Sequence, residues 1–256
     1  EFALVDTSGT AIRLQTCPMM TTIEPSIDLE TQTMTISASG MQDLVVQLTG
    51  GSQYYHNGEN SINVCGSKCG GRLWGDFEVS EWFSSYLGVQ CWLARFDSDG
   101  SIQLPTQRRR SDAATIPRAG FANEQALLLI SQNAVSLLNE VLKEQNQRPV
   151  GSRHFRPNMV VRGIDDSSDH HIEDDWKVLT LTRNGLALNT KGSCARCAMV
   201  DFDPYSGKKG KTLRALARYR RRKGQITFGV FLQAMEGRGR DRDDSWIEEG
   251  DEVLCR

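Results

Sequence analysis

The sequence is short of several things that would mark a function at once. Among 256 residues there are four histidines and seven prolines, and no apolar run approaches the ~20 residues needed to cross a bilayer. The N-terminus lacks the basic-then-apolar layout of a secretory signal, so a cytoplasmic setting is the simplest expectation. Charge of one sign is not in excess: 30 basic against 32 acidic residues leave a net charge of -2, with no bulk positive field to gather a nucleic acid backbone. Neither nucleic acid nor membrane is an expected partner. The motifs GxGxxG, GxxxxGK[ST] and GxSxG are missing, which removes the motif basis for nucleotide-binding and serine-hydrolase readings. No lysine stands in a setting that marks a Schiff base to pyridoxal phosphate.

What is present is an ordinary globular composition. Hydrophobic residues make up 39% and glycines number 23, enough for a sizeable core in one large domain or two small ones. The seven cysteines (Cys17, Cys65, Cys69, Cys91, Cys194, Cys197 and Cys255) are odd in number and irregularly spaced. That pattern argues against a secreted disulfide framework and for reduced thiols, some of them available as ligands. The first residue is Glu1 rather than Met and leads directly into an apolar run, Phe2–Val5, from which a piece of a longer parent is expected.

Up to about residue 100 the chain reads as short strands separated by turns, at Phe2–Val5, Thr33–Ser37, Leu44–Leu48, Ser61–Val64 and Cys91–Phe96. One helix interrupts them over 76–87, with Phe77, Trp82, Tyr86 and Leu87 mostly on one face and Gly88 as its stop. Residues 97–118, with Arg108-Arg109-Arg110, lack periodicity and read as a solvated connection between two halves. The second half opens with a strand at Leu127–Ile130, a cap at Ser131 and a helix from about 133 to 145 carrying Val135, Leu138 and Leu142. Strands follow at Met159–Val161, Val178–Leu181, 186–190 and Ala198–Phe202, with turns at Asn184-Gly185 and Gly192-Ser193. Thr212–Arg222 is amphipathic and predicts a short helix ended by Gly224, then a strand at Ile226–Leu232, a charged loop at 236–245 and a last strand after Glu249-Gly250-Asp251.

The strongest chemical signal is Cys194-Ala195-Arg196-Cys197. Two thiols this close suit a redox pair or soft-metal ligation, and Arg196 between them would favour the thiolate; the plain alternative is a pair of half-buried structural cysteines. A four-cysteine zinc centre with Cys65 and Cys69 is disfavoured, because local zinc modules place their ligand pairs within about 20 residues. His170-His171, with Asp165, Asp166, Asp169 and Glu173 around them, can bind a metal adventitiously, but such a run is expected to face solvent. A second constellation is Phe155-Arg156-Pro157-Asn158. Proline fixes the backbone here ahead of a strand, so Arg156 and Asn158 are presented in a defined direction. Guanidinium suits forked phosphate recognition and a carboxamide suits the edge of a heterocycle, although Arg156 alone fits a surface ion pair equally well.

Taken in order, Asn123-Glu124-Gln125, Phe155-Arg156-Pro157-Asn158, Glu173-Asp174-Asp175-Trp176, Cys194-Ala195-Arg196-Cys197, Arg218-Tyr219-Arg220 and Ile226-Thr227-Phe228-Gly229 resemble the MOSC family found at the C-termini of molybdenum cofactor sulfurases. Pro25–Leu29 and Val64-Cys65-Gly66 support a likeness of the first hundred residues to the β-barrel domain that precedes MOSC. The resemblance implies an α+β fold dominated by β structure: a MOSC N-terminal β-barrel domain over 1–97, then a MOSC β-barrel with a few packed helices over 98–256. It implies Mo-molybdopterin as the cofactor, Cys197 as the catalytic thiolate facing the metal, and Asn123, Glu124, Arg156, Asn158, Cys194 and Ala195 as residues holding the pterin and its phosphate. It further implies exchange of an oxo for a sulfido ligand. The sulfur would come from a pyridoxal-phosphate cysteine desulfurase domain of the same parent lying before residue 1, and molybdenum hydroxylases would be the recipients. In the family a Lys-Ser segment and an Arg that also contact the cofactor precede the start of this chain. Two alternatives stand beside this reading. One is a molybdenum-dependent reductase of N-hydroxylated compounds, although a serine stands at the Ala195 position in those relatives; the other is a cofactor carrier without chemistry.

Overall fold

Short apolar alternations build strands, and capped amphipathic segments build three helices, so the chain is an α+β protein dominated by β structure. The computed structural model describes residues 2–49, 61–64, 66–96, 125, 127–163, 170–235 and 246–256. Asn123, Glu124, Cys65, the connection over 97–118 with its arginine triplet, Asp165, Asp166, Asp169 and the loop at 236–245 lie outside the described residues. The chain divides into two compact units, residues 1–124 with Pro204–Lys208, and Gln125–Asp203 with Lys209–Arg256.

In the first unit, strands β1 (Phe2–Val5), β5 (Ser61–Val64), β6 (Ser67–Leu73) and β7 (Trp92–Phe96) form an antiparallel sheet in the order β1-β7-β6-β5. A second sheet, in the order β2-β3-β4, joins β2 (Glu24–Asp28), β3 (Thr33–Ser37) and β4 (Leu44–Gln47). Leu4, Met34, Ile36, Val46, Trp74, Val79, Phe83 and Leu93 fill the core. Helix α1 (Phe77–Leu87) begins where the Asp76 carboxylate accepts the Val79 N–H, and ends at Gly88 with φ 68°. It packs through Val79 and Phe83, whereas Phe77, expected on the packing face, is 77% exposed because the first helical residue after the cap points off that stripe. Strands β2 and β6 are additions to the sequence reading. The all-exposed Glu24–Asp28 and the glycine-bearing Ser67–Leu73 lack the alternation that marks a strand, and only pairing with neighbours makes them ones.

The second unit holds strands β8 (Leu127–Ser131), β9 (Met159–Val161), β10 (Val178–Leu181), β11 (Ala187–Ala195), β12 (Arg221–Arg222), β13 (Gln225–Ala234) and β14 (Val253–Cys255). Their order is β14-β10-β11-β13-β8-β9, with β12 paired to β13, in a sheet curled into a half-barrel. Helices α2 (Gln132–Glu144) and α3 (Thr212–Tyr219) close one core around Ile130, Leu138, Leu142, Phe155, Leu216 and Phe228. A second cluster, with Leu129, Leu179, Leu188, Val230 and Leu232, is built by the sheet residues and Trp176. Ser131 accepts the Ala134 N–H at 3.2 Å and caps α2 as its position in the sequence indicates.

Three expectations in this unit need correction. Ala198–Asp201 is a 3-10 turn rather than a strand: Val200 enters the core, while Asp201 accepts the Gly210 N–H at its carbonyl (2.6 Å) and the Leu213 N–H at its carboxylate (2.7 Å), drawing the segment off the sheet. The Gly192-Ser193 turn is instead a bulge within β11, which shifts register between Thr190 and Ser193 and again before Ala195, with Gly192 at φ 100°. Helix α3 stops at Tyr219, not Arg222, because buried Arg220 turns inward and Arg221–Arg222 begin a hairpin through Lys223 and Gly224, both at positive φ.

Gly229 fixes where β13 meets β8. At φ 76°, a Cβ there would stand 2.5 Å from the Leu129 carbonyl oxygen and 2.7 Å from the Ile130 side chain. Gly229→Ala is expected to destabilise the protein by about 2 kcal/mol or more, combining a left-handed backbone with a clash against main chain. Urea unfolding measures this, and a loss under about 0.5 kcal/mol would mean that β13 and β8 are not held this tightly.

Candidate functional site

The two sequence constellations meet across one arginine. Arg196 donates from Nε (2.9 Å) and Nη2 (2.7 Å) to the Phe228 carbonyl, and from Nη1 (3.1 Å) to the Phe155 carbonyl. Its guanidinium also lies over the Phe155 ring, 5.5 Å from the centroid. Phe155 stacks in turn on Phe228, with centroids 4.1 Å apart and planes at 20°. The guanidinium is thus engaged with main-chain oxygens and a ring, a structural role that its position between the cysteines did not indicate. It ties the turn before Arg156 to β13, while its own backbone N–H donates to the Ile226 carbonyl at 2.8 Å.

Directly after the Phe155 carbonyl comes Arg156, exposed and held at φ 53° and ψ 49°, a left-handed geometry that few non-glycine residues adopt. Pro157 follows, and Asn158 then plugs into β8: its N–H donates to the Leu128 carbonyl (2.9 Å) and its side-chain oxygen accepts the Leu128 N–H (2.8 Å). The carboxamide therefore extends the parallel β8–β9 ladder by one bonded pair. Beneath the turn, His154 accepts the Gly151 N–H at Nδ1 (3.3 Å), and its Nε2 lies 4.0 Å from Asp203. Burial pushes its pKa below the ordinary value, against the pull of the Asp203 carboxylate, which keeps the ring in the neutral form that this contact needs.

The two cysteines have opposite environments. Cys194 is buried at 7% exposure near the end of β11, with its thiol directed at the Ala195 carbonyl (3.7 Å), whereas Cys197 is exposed as the residue leading into the Ala198–Asp201 turn. Ala195, half-buried between them, pairs with Thr227 on β13. An exposed thiol and an exposed guanidinium thus stand on two segments joined through Arg196, and their chemistry is that of a soft ligand and an anion anchor.

Behind the site is a polar interior that the sequence reading placed in solvent. His171 is 5% and Glu173 0% exposed, with Nδ1 and Oε1 3.8 Å apart, and the His171 ring lies against Phe228 (5.6 Å) and Tyr219 (5.8 Å). Burial raises the Tyr219 pKa to about 12. Arg220, 2% exposed, donates to Asp174 (2.8 Å) and to the Thr227 carbonyl (3.0 Å). Among the described residues no group of three or more His, Cys, Asp or Glu side chains forms a metal site. Residues 117–254 match the MOSC domain model, more than half the chain.

The chain belongs to the MOSC domain family. Residues 1–90 match the MOSC N-terminal beta barrel domain. The molybdenum cofactor sulfurase of Oryza sativa subsp. japonica is 31% identical over 267 residues, covering 99% of this chain and 31% of that protein. The sulfurase of Aspergillus oryzae is 31% identical, covering 87% and 31%, and that of Solanum lycopersicum 32% identical, covering 69% and 22%. The chain thus spans about a third or less of the length of these curated relatives. Phe155, Phe228 and Gly229, which carry the MOSC unit's internal bracing, were not singled out as a set by sequence reasoning. The signal was there in the two Phe-containing segments, each bounded by an arginine or a glycine, but only packing joins them.

Arg196→Lys tests the brace. Lysine ends in one nitrogen, which cannot reproduce the three bonds that Nε, Nη1 and Nη2 make to the two carbonyls, so a loss of about 1.5–3 kcal/mol is expected in urea unfolding at unchanged slope. A change within about 0.5 kcal/mol would show that the two carbonyls do not depend on the guanidinium.

Proposed function

We propose that the MOSC unit of this protein binds the molybdenum cofactor, with the Cys197 thiolate toward the metal and Arg156 toward the phosphate. The observation that carries this reading is the exposed Cys197 beside the Arg156 turn, the two segments joined through Arg196, in a chain similar along most of its length to molybdenum cofactor sulfurases. The residues fit the group chemically: a thiolate is a soft donor for molybdenum, and an exposed guanidinium carried on a fixed backbone turn suits a phosphate ester. Asn123 and Glu124 join the set by motif. Asn158, with its oxygen already given to Leu128, has its NH2 group left to offer a heterocycle and otherwise holds the turn in place. Cys194 and Ala195 contribute backbone beside the thiolate.

In this reading the cofactor is the substrate, offered for replacement of an oxo ligand by sulfur. The sulfur would arrive as the outer sulfur of a persulfide on a pyridoxal-phosphate cysteine desulfurase domain of the same parent. The persulfide S–S bond would be cleaved with two electrons from a thiol reductant, which leaves as a disulfide, while the oxo group would depart as water and the carrier cysteine as a free thiol. Molybdenum hydroxylases would receive the product. What this unit's residues do is bind, orient and shield: Arg196 keeps the anion anchor and the thiol in register, and the packed Phe155–Phe228 pair keeps water from beneath them. A cytosolic setting, where thiols stay reduced, completes the reading.

The test is metal and pterin analysis of the protein purified from a cofactor-producing host. Molybdenum and pterin in equal amounts are expected in the wild type and in Cys255→Ser, with at least about a tenfold loss in Cys197→Ser, the scale seen when a metal-site contact is removed. Zinc without pterin, or full molybdenum in Cys197→Ser, would overturn the proposal.

A further inference from the structure

The segment from Lys209 to Lys223 carries eight basic residues and no acidic one, although the chain as a whole is slightly acidic. Two of the eight are committed to the fold, as Arg220 and Arg222 both reach Asp174, at 2.8 and 3.0 Å. The other six, Lys209, Lys211, Arg214, Arg218, Arg221 and Lys223, are all exposed, and among the described residues none of them forms an ion pair. An ordinary solvated helix face intersperses both signs. Here Arg214 and Arg218 stand four apart on α3, a like-charge spacing that weakens a helix. Among the described residues no carboxylate pairs with these six cations.

This ridge is fastened to the Cys197 segment at both ends. Four residues beyond Cys197, Asp201 accepts the Gly210 and Leu213 N–H groups, and Phe202 pairs with Lys209, whose ammonium lies over the Phe202 ring at 5.8 Å. At the far end Arg221 pairs with Ile226, the residue whose carbonyl accepts the Arg196 N–H at 2.8 Å. The positive surface and the exposed thiol therefore move as one piece.

We propose that the Lys209–Lys223 ridge docks the acidic face of the protein that exchanges cofactor with this unit, an inference that rests on the cofactor-binding reading above. Three features favour a folded acidic protein over other anions. The helix alone is about 12 Å long, too extended for one phosphate group. Tyr219, the aromatic residue of the segment, keeps its hydroxyl buried, so no exposed aromatic interleaves the cations for base stacking. The rest of the chain has an excess of acidic residues, which disfavours an extended polyanion such as a duplex or a membrane plane but not a local acidic patch.

The experiment compares the full chain with its Arg214→Glu/Arg218→Glu variant, both loaded with molybdenum cofactor, in transfer to an apo molybdenum hydroxylase. Equal molybdenum loading is expected, with transfer at low salt about tenfold slower in the variant, and the two rates converging between about 50 and 500 mM KCl as screening removes the attraction. Equal rates at every salt concentration would overturn the proposal. If the wild type holds no molybdenum, the cofactor reading fails by itself and titration with poly-L-glutamate decides the ridge: salt-sensitive binding lost in the variant supports it, and unaltered binding overturns it. Unchanged transfer, together with loss of binding to duplex DNA or to phosphatidylserine vesicles, would assign the ridge to that class instead and also overturn it.

Discussion

The MOSC unit depends on one arginine that satisfies main-chain oxygens where regular structure gives out. Phe155 ends a 3-10 turn and Phe228 precedes the Gly229 irregularity of β13, and Arg196 serves the carbonyls of both. A buried carbonyl left without a donor costs free energy comparable to a lost hydrogen bond, so the site's geometry follows from where these oxygens can be met. Because one planar group meets both, the turn before Arg156 and the segment leading to Cys197 share a single orientation.

A second arginine grips the adjoining residue. Arg220 takes the Thr227 carbonyl while Arg196 takes that of Phe228, so two consecutive peptides of β13 are held by guanidinium groups. Arg220 is buried with Asp174, and Arg222 shares the same carboxylate from the surface. A buried ion pair is weak evidence for net stability, because desolvation offsets the attraction. Its effect here is geometric: it ends α3 at Tyr219, starts the Arg221–Arg222 hairpin and fixes the approach of the basic ridge to the site.

Much of this was legible in the sequence where local rules operate. Ser131 before an amphipathic run, the Asp76 start and Gly88 stop of α1, and the apolar runs at Leu127–Ile130 and Val178–Leu181 each carry their own signal, and the structure follows them. The ordered motifs around Phe155–Asn158 and Cys194–Cys197 pointed to the family before any geometry was known. What was not legible depends on distant partners. Nothing in Ala198–Phe202 says that Asp201 will cap α3, and nothing in the charged run around His171 says that Glu173 will be fully buried beside it. Arg196 reads locally as a neighbour of thiols; only the fold delivers the two carbonyls that claim it.

Whether Cys197 supplies a thiolate to molybdenum is the point on which the proposed function turns. X-ray absorption at the molybdenum edge, on cofactor-loaded protein beside the free cofactor, measures it. The account predicts one additional sulfur neighbour in the protein-bound form, absent when Cys197 is replaced by serine. A sulfur count equal to that of the free cofactor, or an extra sulfur that survives Cys197→Ser, would contradict it.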